Sequence, residues 1–348
     1  MNDILVNGQR IGKGHNPFII AELSANHNGS LQNALKTISE AKARGADAIK
    51  LQTYTADTMT INCDYEDFLI SDGLWNGYKL YDLYSEAQTP FEWHKTMFDH
   101  ARSIDITCFS TPFDETAVDL LEDLNTPAYK VASFEATDLS LIKYVASTKK
   151  PMIMSTGMAN FEEIEEMIQA AREGGCNKII ILHCVSSYPA PIDQSNLLTI
   201  PDMQKRLGVH IGLSDHTTSN TASIVATALG AVLIEKHFTL DRNDKGPDSS
   251  FSIEPIELEK LVQETKEASS SLGIASYSLK SAEIGNIKFR RSLYYVEDLK
   301  AGEILEEKSV RRIRPGYGLS PKFINNIIGK KLSKDVKYGS PVKIDDFQ

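Results

Sequence analysis

Lys50 and Lys130 stand inside otherwise apolar runs, Ala46-Asp47-Ala48-Ile49-Lys50-Leu51 and Pro127-Ala128-Tyr129-Lys130-Val131. A buried ammonium without a partner is costly. Each lysine must therefore pair with a carboxylate, Glu22 or Glu135, or face an anionic ligand. Ser110, Thr111, Ser133 and Ser155 lie at the ends of neighbouring apolar runs. Two cations and four hydroxyls could together hold a phosphate and a carboxylate. His216 and His237 end two successive runs. Converging imidazoles suit a divalent metal with positions left open for water and a substrate oxygen. A simple hydrogen-bonded pair of histidines is the other reading. More polar groups follow run ends: Asn26 and His27 after Glu22, Gln52, Ser186 and Tyr188 after His183, Ser214 and Asp215, Glu235, and Asp248 in the loop beyond.

These groups need a scaffold that gathers many strand ends at one place. Eight short runs rich in Ile and Val, near residues 18–23, 46–53, 106–110, 128–133, 151–155, 178–183, 209–213 and 231–237, read as strands buried on both faces. Helix-period segments separate them. Ser30 can cap a helix with Leu31, Leu35, Ile38 and Ala41 on one face and Gly45 as its stop. Asn160 can cap another, carrying Phe161, Ile164, Ile168 and Ala171. A last helix over 256–271 presents Ile256, Leu258, Leu261 and Val262. Eight such units predict an α/β fold, a (β/α)8 TIM barrel, whose chemistry sits at the C-terminal ends of its strands. A doubly wound open sheet is the rival. It usually carries a Gly-rich first turn, and Leu23-Ser24-Ala25-Asn26-His27 is not one.

Residues 1–275 are thus assigned to the barrel, 276–288 to a polar linker and 289–348 to a small β-rich domain full of turns. A module of that size has little core of its own and is expected to pack on another surface. The long insertion near 54–104, with Gly73-Leu74-Trp75 and Lys79-Leu80-Tyr81, is expected over the barrel mouth as substrate cover or as surface packing. Net charge is −10 over 348 residues, which argues against nucleic acid or an anionic membrane as partner. The chain begins Met1-Asn2-Asp3-Ile4-Leu5, with no basic segment followed by an apolar one, so no secretory leader is expected. Four cysteines without CxxC spacing suit reduced thiols in a cytoplasmic protein.

The ordered motifs Ile20-Ala21-Glu22-Leu23-Ser24-Ala25-Asn26-His27, Lys50-Leu51-Gln52-Thr53, Ser110-Thr111-Pro112-Phe113, Tyr129-Lys130-Val131-Ala132-Ser133, Ser155-Thr156-Gly157-Met158, Gly212-Leu213-Ser214-Asp215-His216-Thr217, Glu235-Lys236-His237-Phe238 and Gly246-Pro247-Asp248 resemble those of the sialic acid synthase family. Arg312-Ile313-Arg314-Pro315-Gly316-Tyr317-Gly318 is similar to that family's antifreeze-like (SAF) domain. The resemblance spans nearly the whole chain. It implies metal-dependent condensation of phosphoenolpyruvate with an amino-sugar aldehyde. By it, Lys50, Ser110, Lys130, Ser133 and Ser155 should hold phosphoenolpyruvate. His216 and His237 should ligate Mn2+, or Mg2+ or Co2+ in its place. Glu22 should orient or deprotonate the attacking water, with Glu135 the second candidate. Gln52, Phe134, Ser186, Tyr188 and Asp248 should face the sugar, with Arg314 reaching the site from the partner of a domain-swapped homodimer.

Ala132-Ser133-Phe134-Glu135 and Thr89-Pro90-Phe91-Glu92-Trp93-His94 look most like the branch that uses 2,4-diacetamido-2,4,6-trideoxy-L-altropyranose. Phe134 would wall the methyl group of that sugar. N-acetylneuraminate or legionaminate synthesis keeps the chemistry with another acceptor. A Schiff-base aldolase or lyase on Lys50 or Lys130 is the rival of a different class.

Overall fold

The computed structural model describes every residue except Lys245. Residues 1–273 and 274–348 form two compact units. The first opens with a hairpin, β1 (Ile4–Val6) and β2 (Gln9–Ile11), that the sequence pattern did not announce. Eight parallel strands follow: β3 (Phe18–Glu22), β4 (Ala48–Thr53), β5 (Thr107–Pro112), β6 (Tyr129–Val131), β7 (Met152–Ser155), β8 (Ile179–Cys184), β9 (His210–Ser214) and β10 (Leu233–His237). They close in sequence order, with β10 pairing β3, so the expected barrel is present.

Side chains alternate along each strand, and the alternation sorts them into two layers. Ile19, Ala21, Ile49, Leu51, Tyr129, Val131, Met152, Met154, Ile179 and Ile181 face the surrounding helices. Their neighbours Phe18, Ile20, Ala48, Phe109, Ile153, Ile180, Leu182 and Leu233 fill the barrel's lower interior. Ile4, Val6 and Ile11 of the hairpin join that inner cluster, and His210 Nε2 lies 2.9 Å from the Asn2 carbonyl. The hairpin thus plugs the end opposite the strand C-termini. Gly212 is needed where β9 runs close against β10. A Cβ there would stand 2.5 Å from the Leu233 carbonyl oxygen.

The helices form for the reasons their sequences gave. Ser30 caps Leu31–Ala43 by accepting from the Asn33 amide at 3.3 Å. Asn160 and Glu163 close a capping box at the start of Phe161–Glu173. In Pro255–Leu272 the buried positions are Leu258, Leu261 and Thr265. Ile256 faces outward instead, because it lies about half a turn around the helix from that stripe. No described helix is long and apolar enough to cross a membrane.

The second unit departs from expectation in two ways. Part of the assigned linker is ordered as a 3-10 helix, Ser281–Phe289. The unit also has a core of its own. Strands β11 (Ser292–Tyr295) and β12 (Val310–Ile313) pair antiparallel. Leu293, Tyr295, Leu305, Val310, Ile327, Leu332, Val336 and Val342 are buried together. The Tyr295 hydroxyl donates to Asp346 at 3.1 Å, so its polar end is satisfied inside. Arg314 lies on this unit's exposed surface.

Candidate active site

The same alternation that builds the inner core continues upward and turns polar. Above Ile20 on β3 comes Glu22; above Ala48 come Lys50 and Gln52; above Phe109 comes Thr111; above Ile153 comes Ser155; above Leu233 come Glu235 and His237. All but Gln52 and His237 are buried. Lys50 Nζ lies 2.8 Å from Glu22 Oε2 and 3.6 Å from Glu235 Oε1, and it donates to Thr111 Oγ1 at 3.0 Å. Lys130 Nζ donates to Ser155 Oγ at 2.6 Å and to the Val131 carbonyl at 3.0 Å, with Glu235 Oε1 at 3.9 Å. The four charges thus form one chain of contacts, Glu22–Lys50–Glu235–Lys130. The ion-pair reading holds for Lys50, whose partners are Glu22 and Glu235. Glu135 is not among them.

Burial lifts the Glu22 carboxyl to about 7, against the downward pull of Lys50. Burial also depresses Lys50, but Glu22 and Glu235 more than restore it. Burial pushes Lys130 down, which leaves it the more readily neutralised of the two ammonium groups. Glu135 is lifted to about 7, again by burial, and its Oε2 has no hydrogen-bond partner. Glu235 Oε2 and Glu22 Oε2 are likewise without a hydrogen-bond partner, Glu22 Oε2 being held by the ion pair to Lys50.

Ser110 is placed differently from the expectation. It belongs to the outward-facing set of β5, with Cys108, and bonds Thr53 Oγ1 at 2.6 Å. Thr53 in turn meets His94 Nε2 at 2.8 Å. A period of two puts only one of two adjacent residues inside, and it is Thr111 that reaches Lys50. Ser133 accepts from the Gly157 amide at 3.1 Å. Gly157 is pressed against Ser133 and Ser186. A Cβ there would stand 2.0 Å from Ser186 Oγ. Phe134 sits in the turn Ser133–Glu135 and is 62% exposed, so it borders the mouth without enclosing it.

His216 and His237 do converge, with ring centroids 5.5 Å apart. His216 Nδ1 lies 2.9 Å from the Val185 carbonyl, which makes Nδ1 the protonated nitrogen and leaves Nε2 as an acceptor. His237 Nδ1 is buried without a hydrogen-bond partner, 3.8 Å from Asp248 Oδ2. Burial, then His216, hold His237 well below its ordinary value, so it is neutral. Among the described residues no three His, Cys, Asp or Glu side chains form a closed metal cage. The His216 Nε2 left as an acceptor and the unpartnered His237 Nδ1 fit a divalent ion that keeps several positions open.

Rings surround this pair. Tyr188 stacks on His216 at 4.3 Å and approaches His237 at 5.8 Å. Phe251 lies 5.1 Å from both His237 and Tyr188. Trp75, from the long insertion, reaches Tyr188 at 5.9 Å and donates to the Pro247 carbonyl at 3.1 Å. The insertion therefore covers the mouth. Phe251 escaped the sequence reading because nothing in Ser249-Ser250-Phe251 separates a site residue from a packed one.

Directly behind the histidines lies a buried ion pair. Asp215 Oδ2 and Lys236 Nζ are 3.0 Å apart. Asp215 also accepts from Ser223 at 2.6 Å and from the Thr217 amide and hydroxyl, both at 2.8 Å. Each partner immediately precedes a histidine, so the pair ties the two histidine-bearing strand ends together. Lys236→Met should cost about 3–5 kcal/mol of stability, because it strands a buried carboxylate. Urea denaturation of the variant measures this, and a loss under 1 kcal/mol would contradict the assignment.

Residues 37–277 match the NeuB family profile and 290–348 the SAF domain. The chain is 46% identical to a pseudaminic acid synthase of Campylobacter jejuni over 95% of this chain and 96% of that one. It is 42% identical to that of Helicobacter pylori over 95% of this chain and 98% of that one. A crystal structure of N-acetylneuraminic acid synthetase from Leptospira borgpetersenii, in complex with citrate, superposes with a TM-score of 0.74 at 31% identity, covering 83% of this chain and 96% of that one.

Proposed function

The chain belongs to the NeuB family and ends in a SAF domain, and on that premise we propose that it catalyses pseudaminic acid synthesis. Phosphoenolpyruvate, 2,4-diacetamido-2,4,6-trideoxy-L-altropyranose and water would give pseudaminate and phosphate. The observation that carries this reading is 46% identity to a synthase of that name along nearly the full length of both chains.

Lys130 with Ser155, and Lys50 with Thr111, are the groups suited to the carboxylate and phosphate of phosphoenolpyruvate. Phosphoenolpyruvate C3 attacks the open-chain aldehyde carbon: its π electrons form the new C–C bond, and the aldehyde π pair moves to oxygen, which takes a proton to become a hydroxyl. Positive character develops at C2, and the carboxylates of Glu22 and Glu235 would stabilise it. Water adds at C2. Glu22, lifted to about 7, is suited to take its proton near neutral pH. The tetrahedral carbon then expels phosphate by C–O cleavage. His216 and His237 would hold Mn2+, or Mg2+ or Co2+, which when bound supplies Lewis-acid polarisation of the aldehyde oxygen. Gln52, Ser186, Tyr188 and Asp248 would face the sugar. The rings of Trp75, Tyr188 and Phe251 give an apolar wall suited to a 6-deoxy methyl group. Arg314 would enter from the partner of a domain-swapped homodimer.

The test is phosphate release from phosphoenolpyruvate with Mn2+, offering the altrose-derived sugar, its legionaminate-pathway counterpart and N-acetylmannosamine in parallel. Release with the first alone is the expected result. Preference for another acceptor would overturn the substrate assignment and keep the chemistry. Borohydride trapping of a substrate adduct on Lys50 or Lys130 would instead favour a Schiff-base aldolase.

A further inference from the structure

Ser24 lies in the turn after β3 with φ of 46°, a left-handed conformation that costs a β-carbon residue about 1–2 kcal/mol. It is a serine, not the Gly, Asn or Asp usually found there. It is also buried, so solvent does not explain it. The hydroxyl is fully used. It donates to Asp248 Oδ2 and accepts from Gln52 Nε2 at 2.8 Å. The same amide nitrogen donates to Glu22 Oε1 at 3.0 Å. Asp248 Oδ2, also within 3.4 Å of the Ala25 amide, then faces His237 Nδ1. The result is one hydrogen-bonded chain, Glu22–Gln52–Ser24–Asp248, ending beside His237.

The turn cannot relax out of this conformation. Asn26 Nδ2 donates to the Phe238 carbonyl at 3.0 Å and to Ser252 Oγ at 2.9 Å, while Ser249 donates back to Asn26 Oδ1 at 3.2 Å. Neighbouring structure thus over-determines a strained residue. A glycine at 24 would adopt the same backbone without penalty. What glycine lacks is the hydroxyl.

We propose that Ser24 is a positioning residue for the sugar acceptor: its hydroxyl fixes the Asp248 carboxylate and the Gln52 amide relative to Glu22. The inference rests on the functional reading above for what Asp248 and Gln52 touch. Ser24→Ala and Ser24→Gly both remove the hydroxyl, but only glycine also relieves the strain. Ser24→Gly should therefore melt above Ser24→Ala. Both should nonetheless lose roughly tenfold to a hundredfold in kcat/KM for the sugar, as misplaced binding groups do. KM for phosphoenolpyruvate should change far less than KM for the sugar, since Lys130 and Ser155 lie outside the chain of bonds and Lys50 touches it only through Glu22. Amide hydrogen exchange over 246–252 should quicken in both variants.

Activity that recovers in Ser24→Gly along with melting temperature would mean the hydroxyl serves only the fold, and would overturn the proposal. Unchanged exchange over 246–252 would overturn it equally. Should the unmodified enzyme release no phosphate with any acceptor, the functional reading fails, and the exchange measurement still decides whether Ser24 holds the Asp248 loop.

Discussion

Glu22→Gln should lower kcat by about 10²–10⁴-fold, the range expected when a general base is removed, while leaving a folded protein. The substitution keeps the size of the side chain and an acceptor oxygen. What it removes is the capacity to take a proton. The sign of the pH dependence follows from the direction of the shift. Burial raises Glu22 to about 7, so the carboxylate that could accept a proton from water is present mainly above that pH. Activity of the unmodified enzyme should therefore rise with pH through about 7. The acidic limb should vanish in Glu22→Gln, leaving a low, flatter profile. Glu135 is raised to a similar value, so the profile alone does not separate the two carboxyls. The variants do. Glu22 contacts Lys50 and Gln52 inside the ring of strand-end residues, whereas Glu135 sits in the turn after β6. Glu135→Gln should keep activity within about tenfold. The reverse ranking would transfer the base role to Glu135.

The barrel and most of its mouth were legible because one rule, the alternation of side chains along buried parallel strands, governs both core and site. Glu22, Lys50, Lys130, Ser155, Glu235 and His237 all occupy interior positions directly above apolar ones. Ser110 shows where the rule has to be applied residue by residue. Both Ser110 and Thr111 are polar and both end β5, and only register places one inside. The hairpin β1–β2 was invisible because its strands have three residues each, too few to show a period, and β2 begins Gln9-Arg10. The core of the second unit escaped for a related reason. Its eight buried residues are scattered from Leu293 to Val342 between turns, with no sustained period to read. The Ser24–Asp248 bond joins residues 224 positions apart, and Phe251 meets Tyr188 from a separate loop, and no local pattern encodes either meeting.

Removing residues 289–348 should leave a cooperatively folded barrel with no synthase activity. The first half of that expectation rests on separate cores. The barrel's buried clusters lie within residues 4–261, and the second unit's lie within 293–342, so each is complete without the other. The second half rests on Arg314. Its guanidinium is the kind of fixed fork that binds a carboxylate or a sugar oxygen, and losing one such donor from a transition-state site costs about 10²–10³-fold. Charge favours association of the second unit with an oppositely charged surface. Residues 274–348 hold fifteen of the chain's 37 Lys and Arg but only nine of its 47 Asp and Glu. Arg314→Ala in the full chain should reproduce the loss without touching either core. The decisive measurement is complementation. The truncated barrel has intact strand-end residues but no Arg314. Full-length Glu22→Gln has Arg314 but an inactive barrel. Co-expressed and purified together, they should regain phosphate release that neither shows alone, because a swapped dimer builds one complete site from the two. Such recovery should weaken as ionic strength rises, as screening reduces the attraction that brings the chains together. Full activity in the truncated barrel by itself would remove Arg314 from the site and the swap with it. A dead truncation that complementation fails to rescue would instead place Arg314 in the site of its own chain.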